Sequence, residues 1–278
     1  MKIKSIIFVP ILLFLVSLLI LFQNYQKTGD FIIKDIDLKG GTLITVETSS
    51  PVDTKLLENA LSQKYGSVLI SSLKTISGYG VSIQVSAETN TSAILNDVKS
   101  LGINPISYSV ETIGPVLGSL FFQQIVYVLI VAFILMSLVI FIVYRNPVSS
   151  FGIVFASLAN ILTTLALTSI IGIKVSFTGF AGILMLIAYT VDTNIVLTNK
   201  VLKASPENFR SQYRKALTTG LTLIATITIT MFLVLFLSTS KLLINIAEIL
   251  VVGFLSDLPY TWIFNASILE MWIGRRHK

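Results

Sequence analysis

The chain has 278 residues, 54% of them hydrophobic and only 12% charged, with a formal net charge of +6 and a mean hydropathy of +0.85. Soluble domains carry about 25% charged residues, so this composition excludes an ordinary soluble globule and takes the cationic excess as an orientation signal, with no nucleic-acid partner implied. The sequence has no cysteine and a single histidine, His277, which excludes disulfides, thiolate metal sites and a histidine-based catalytic centre within the apolar segments. No cofactor or metal is expected.

A span needs about 20 apolar residues, and six segments qualify: 5–22, 120–144, 149–173, 175–199, 217–240 and 242–272. The first follows Lys2 and Lys4 like a secretory signal. However, its apolar run is long and Gln-Asn-Tyr-Gln-Lys stands where a small-residue cleavage site belongs, so a retained anchor is expected. With the N-terminus placed in the cytoplasm, the inner segments hold eleven Lys and Arg and the short outer loops hold two, Lys174 and Lys241. That asymmetry predicts cytoplasmic termini in a multi-pass cell-membrane protein. Five of the inner cations, Lys200, Lys203, Arg210, Arg214 and Lys215, crowd one loop, and orientation accounts for them.

The segment between the first two spans then lies outside. Residues 42–48 alternate as a strand, and 53–65 have helical spacing with Asp53 as the cap. Residues 67–76 and 81–86 read as strands joined by a turn at Ser77-Gly78-Tyr79-Gly80, 91–101 is helical, and 106–110 is a last strand. The order βαββαβ is that of the ferredoxin-like split motif. The expected fold is a polytopic α-helical membrane protein with six transmembrane helices and a ferredoxin-like α+β extracytoplasmic domain between the first two. Its parts are residues 1–22, 23–118 and 119–278.

Asp192 and Asp257 are the acids of interest within the apolar runs. Asp192 lies in Ala188-Tyr189-Thr190-Val191-Asp192-Thr193-Asn194, where an intramembrane carboxylate costs roughly 2.5–3.5 kcal/mol on insertion scales and usually serves a function. Thr219, Thr222, Thr226 and Thr230 form one hydroxyl face of the fifth span, and Asn160, Thr164 and Thr168 one face of the third. Either face lines a hydrated path around Asp192 or packs against a neighbouring helix. Gly152, Ala156 and Asn160, spaced by four, read as close packing. Asp257 lies in the last span with Thr261 and Asn265 following at i+4 and i+8, and Pro259 should kink the helix nearby. Glu248 falls on the opposite side of that helix. Lys215 is the cation nearest the polar faces. Asp192, Thr193, Asn194, Thr222, Thr226, Lys215 and Asp257 are therefore the ion-relay candidates, with a structural, permanently protonated acid as the competing reading. Gly40-Gly41 lacks the Lys-Ser/Thr of a phosphate loop and reads as a close backbone approach.

Four stretches resemble one known family, SecF of the protein-export machinery in its archaeal form. They are Asp37-Leu38-Lys39-Gly40-Gly41-Thr42, Ile113-Gly114-Pro115-Val116-Leu117-Gly118, Ala188 through Ile195, and Ala216-Leu217-Thr218-Thr219-Gly220-Leu221-Thr222. The resemblance runs through nearly the whole chain in matching order. It implies a partner, SecD, and work beside the SecY translocon on a secreted polypeptide substrate within the lipid bilayer. It also implies a drive from the proton or sodium gradient, as in the resistance-nodulation-division (RND) superfamily. Bacterial members typically read Asn-Asp-Thr in the fourth span, so here the acid stands one residue earlier, about 100° around a helix. The competing readings are a small-molecule or lipid transporter subunit of the same superfamily, an uncoupled scaffold for SecD, and an intramembrane protease. The protease reading lacks a Gly-x-Gly-Asp motif and a usable base.

Overall fold

The computed structural model describes residues 6–66, 68–75 and 78–276. Lys2, Lys4, Ser67, Ile76, Ser77, His277 and Lys278 lie outside the described residues. The chain divides into two compact units. One comprises the chain through Ile33, Val126–Ser238 and the chain from Leu242. The other comprises Lys34–Ile125 and Thr239–Lys241.

Among the described residues, six helical stretches are long and apolar enough to cross a membrane: Phe8–Thr28, Pro115–Tyr144, Pro147–Ile171, Phe177–Val201, Phe209–Leu237 and Lys241–Arg275. The first is α1, which runs six residues past the expected end at 22 and stops at Gly29, whose φ of 76° ends the helix in the left-handed region. The polar Gln-Asn-Tyr-Gln-Lys stretch is therefore helical, because backbone hydrogen bonding does not require apolar side chains.

In the second unit, α2 (Ile36–Lys39), β1 (Gly41–Thr48), α3 (Thr54–Tyr65), β2 (Leu69–Thr75), β3 (Gly78–Val85), α4 (Thr91–Ser100) and β4 (Ser107–Ile113) follow one another. The four strands form one sheet in the order β2-β3-β1-β4, and every neighbouring pair is antiparallel. Alternation puts Ile44 and Val46 of β1 and Val81, Ile83 and Val85 of β3 on one face. There they pack against Leu57 and Leu61 of α3 and Ile94, Leu95 and Val98 of α4. Asp53 caps α3, accepting from the Lys55 and Leu56 amides at 3.0 and 3.2 Å, and Asn90 caps α4 in the same way. The expected turn is displaced: Gly78, Tyr79 and Gly80 already belong to β3 and pair with Thr75, Lys74 and Leu73. Ladder pairing uses only the backbone, so glycine does not end the strand. β4 likewise extends past the expected 106–110, to Ile113. The short α2 was not foreseen; it is one turn, with Asp35 accepting from the Ile36 amide.

The two glycine motifs meet in this unit. At Gly40, φ is +80°, and a Cβ there would fall 2.5 Å from Pro115 Cα. A Cβ on Gly118 would fall 2.6 Å from the Gly40 nitrogen. Asp37 stands in the first turn of α2, and Gly41 opens β1. Thr42 is buried and bonds Thr112 across the ladder at 3.0 Å. Gly114 separates β4 from α5 (Pro115–Tyr144). The start of β1 is thus seated on the first turn of α5 by backbone-to-backbone contact that only glycine permits.

In the first unit, α6 (Pro147–Ile171) and α7 (Phe177–Val201) are the most enclosed spans, with 56% of each apolar window buried, whereas α5 and α8 (Phe209–Leu237) have 6% and 11%. The last span is composite: α9 (Lys241–Pro259), a π-helical stretch (Tyr260–Asn265) and α10 (Ala266–Arg276). Pro259 cannot donate to the helix, and the ladder widens immediately after it. Tyr213 of α8 donates to the Trp262 carbonyl at 2.9 Å. Trp262 also lies against Gly220, where a Cβ would come within 2.0 Å of its ring.

Gly118→Ala should destabilise the purified chain by about 1–3 kcal/mol through strain, whereas Gly114→Ala, with nothing within 4 Å, should be near neutral; thermal unfolding in detergent distinguishes them. Lys64 Nζ contacts both Asp97 oxygens, at 2.9 and 2.7 Å, and the Tyr65 hydroxyl donates to Asp97 at 2.6 Å. The hydrogen bonds from Lys64 and Tyr65 hold the Asp97 carboxyl below its ordinary value of 3.8. A depressed carboxyl contributes stability above its unfolded value and loses it as pH falls through the folded one. Asp97→Asn should therefore lower stability at neutral pH and flatten its fall below about pH 4, measured as Tm against pH.

Candidate functional site

Three spans of the first unit bring their polar residues to one point in an apolar bundle. Adjacent residues on a helix are 100° apart, and the rotation of α7 turns Asp192 outward while Thr193 and Asn194 face inward. It buries Thr190, Thr193, Asn194 and Thr198 and leaves Asp192 exposed. Asp257 of α9 is only 2% exposed, and it forms the centre.

The Thr261 hydroxyl, one turn on, lies 3.0 Å from both Asp257 oxygens, Thr193 Oγ1 is 3.0 Å from Oδ2, and the Thr190 side chain also reaches the carboxylate. An outer ring orders these groups. Asn194 Nδ2 donates to Thr261 Oγ1 and to the Thr190 carbonyl, each at 2.8 Å. Asn265 Nδ2 donates to Asn194 Oδ1 at 2.7 Å. On the α6 side, Asn160 Nδ2 donates to Thr190 Oγ1 at 2.8 Å, Ser256 Oγ donates to Asn160 Oδ1 at 2.7 Å, and Thr164 Oγ1 lies 3.0 Å from Ser256 Oγ. Asn265 Oδ1 is buried without a hydrogen-bond partner. It faces Gly152, where a Cβ would approach to 2.5 Å, so the Gly152–Ala156–Asn160 stripe does provide close packing. A separate branch links Ser17 of α1, Thr163 and the Tyr260 hydroxyl at 3.0 and 2.5 Å.

Every group bonded to Asp257 is a neutral hydroxyl. A buried charge without a paired cation is costly, so occupancy by a proton and the direction of the Thr hydroxyls are coupled. Thr193 has one proton and two acceptors, Asp257 Oδ2 and the Thr190 carbonyl, the latter at 2.9 Å. With an ionised carboxylate it donates to Asp257. With a neutral acid protonated on Oδ2 it can instead accept from Asp257 and donate to Thr190. Among the described residues no group of three or more His, Cys, Asp or Glu gathers to hold a metal.

The sequence-derived candidates thus divide. Asp257, Thr193 and Asn194 come together with Thr261 and Asn265. Asp192 does not join them. Thr222 and Thr226 are exposed on α8, each donating to its own helix four residues back, and neither takes part in the Asp257 network. Lys215 is exposed, and its carbonyl accepts from Lys200 Nζ at 3.2 Å. Glu248 bonds Asn245 instead, at 3.5 Å. Thr190, Ser256 and the role of Asn160 in this network were not among the sequence-derived candidates, although the 3- and 4-residue spacing of Thr190, Thr193, Asn194 and Thr198 carried the signal on α7.

Residues 93–275 match the family model described as protein export membrane protein SecD/SecF, C-terminal. The chain belongs to the SecD/SecF family. Curated relatives of this family include the protein-export membrane protein SecF of Pyrococcus furiosus, 31% identical across 98% of this chain and 92% of the relative. Another is SecF of Methanocaldococcus jannaschii, 33% identical across 97% and 95%. Among solved structures, SecDF of Thermus thermophilus, described as a translocon-associated membrane protein, superposes with a TM-score of 0.78 at 16% identity. That match covers 98% of this chain and 38% of the SecDF chain, and at this identity it shows a shared fold. SecDF in its super-membrane-facing form gives a TM-score of 0.61. SecF membership together with six apolar spans makes this a multi-pass membrane protein of the protein-export class.

Substitutions at the centre should separate shape from chemistry. Asp257→Leu strands buried hydroxyl donors at about 1–3 kcal/mol per unsatisfied group and should lower Tm in detergent by several degrees. Asp257→Asn, which can donate to Thr193 as the neutral acid does, should unfold within a degree or two of the parent, roughly the shift of a sub-kcal/mol change.

Proposed function

We propose that this chain is a SecF-type auxiliary subunit of the Sec translocase that acts with SecD, beside the SecY translocon, to promote export of secreted polypeptides at the expense of an ion gradient. The near-full-length similarity to archaeal SecF carries the reading. In this reading the termini are cytoplasmic, as the eleven-to-two cation asymmetry favours. The sheet-bearing unit is then a ferredoxin-like domain on the outer side, a reading its βαββαβ order and antiparallel strand sequence support.

Asp257 is the group through which protonation acts within the subunit. Loading it reverses the Thr193 hydroxyl, and the two states differ in hydrogen bonding between α7 and the last span, so the gradient biases their populations. Asp192 acts at the subunit's surface: its exposed face, with Met185 and Ala188, is the one SecD covers in the complex, where a lipid-facing carboxylate gains a partner. The similarity to SecDF, a chain of which this one spans 38%, supports a SecD partner. The proton is the coupling ion in this reading.

The test is pulse-chase export in cells carrying Asp192→Asn or Asp257→Asn as the sole copy, with membrane level and co-purification with SecD followed in parallel. Export at the null level with an intact complex is expected for Asp257→Asn. Normal export in both variants would make the acids structural and place coupling elsewhere.

A further inference from the structure

Three consecutive residues of the last span are each engaged by a different helix. The Tyr260 hydroxyl bonds Thr163 of α6 at 2.5 Å. Thr261 Oγ1 accepts from the Asn194 amide of α7 at 2.8 Å. The Trp262 ring fills the space left by Gly220 of α8, and its indole N–H is buried without a partner, so fit holds the ring there. All three residues are buried, and all lie in the π-helical stretch that follows Pro259.

That stretch changes which residues share a face. In an unbroken α-helix each four-residue step advances by about 40°, so Asn265 would lie about 80° around from Asp257 and turn away from α7. A turn closed from i to i+5 takes one more residue, which cancels this drift. By its end each residue stands where its predecessor would stand in an unbroken α-helix. The outcome is one line against α7: Asp257 meets Thr193, and Thr261 and Asn265 meet the two ends of the Asn194 amide. Two groups hold the turn wide. Pro259 has no N–H to give to the ladder. Tyr213 donates to the Trp262 carbonyl at 2.9 Å, within a bundle where backbone groups must be satisfied by the protein. The Tyr213 ring is seated separately, against Phe209 and Trp262.

We infer that Pro259 and Tyr213 are positioning residues of the Asp257 site: they keep the last span in the wide register that holds Asp257, Thr261 and Asn265 together against α7. The functional weight of this placement rests on the protonation reading of Asp257 proposed above.

The register can be read directly in a chain with no cysteine of its own. Leu269 shares a core with Val201 of α7, whereas Ile268 packs toward Ala156 and Phe264. Val201→Cys is paired with either Leu269→Cys or Ile268→Cys in the full-length chain in native membranes, and disulfide formation is followed on mild oxidation. Leu269→Cys is expected to cross-link several-fold more than Ile268→Cys. With Pro259→Ala or Tyr213→Phe added, the preference should reverse. The same two substitutions without the cysteines should lower export several-fold, toward the level of Asp257→Asn, at unchanged membrane level. Tyr213→Phe keeps the ring and carries the test should Pro259→Ala lower the membrane level. Asn265→Ala is the control, lowering export without moving the cross-link. An absent Leu269 preference, or one that neither substitution changes, overturns the inference. So does a reversed preference with normal export where Asp257→Asn is blocked, because the turn then does not serve the site. Normal export in Asp257→Asn removes the protonation reading, and the cross-link preference alone then decides whether Pro259 and Tyr213 position Asn265.

Discussion

An acid enclosed by a membrane bundle must be satisfied from within the protein, because neither lipid nor water can do it. Asp257 is satisfied by hydroxyls from two spans, and those hydroxyls are held by amides of Asn194, Asn265 and Asn160. Much of the enclosed part of the bundle is organised by this requirement. The α6 face that looks inward is the one with Asn160 and Thr164. The α7 face is the one with Thr190, Thr193 and Asn194. Gly152 is bare where Asn265 needs room. Apolar helices in a bilayer gain little from hydrophobic association, so small residues and buried hydrogen bonds specify which faces meet.

The contrast between the spans has the same origin. α6 and α7 are packed on several sides, whereas α5 and α8 present most of their surface outward. The α8 threonines spend their hydroxyls on their own backbone, which makes a polar-looking stripe compatible with an apolar environment. Fixed attachment of α8 is concentrated near its start, where Gly220 admits the Trp262 ring and Tyr213 takes up the Trp262 carbonyl. Local widening after Pro259 and the anchoring of α8 therefore occur at the same stretch.

The sheet-bearing unit obeys a different constraint. Its core forms by ordinary alternation, but its first strand must leave the α2 turn and pass over the start of α5 at backbone distance. Gly40 and Gly118 make that passage possible. Their two motifs are separated by more than seventy residues of sequence, yet they form one contact.

The sequence by itself determined the number of spans, the βαββαβ order between the first two, the cap at Asp53, and the family. These are properties of local period, composition and motif order, which survive without knowledge of neighbours. It also contained the Asp257–Thr261–Asn265 stripe, since a four-residue spacing is a property of one helix. Only the tertiary structure decided which acid is enclosed. Asp192 and Thr193 are adjacent in the chain, and the rotation of α7 that buries Thr193 and exposes Asp192 is set by the faces of α6 and α9 against which it packs. Apolar residues surround α7 on all sides, so no hydrophobic stripe in its sequence reveals that rotation. The same holds for the Thr222–Thr226 face and for the Gly40–Gly118 contact, because a residue's neighbours across helices or motifs are fixed by packing and not by spacing along one chain segment.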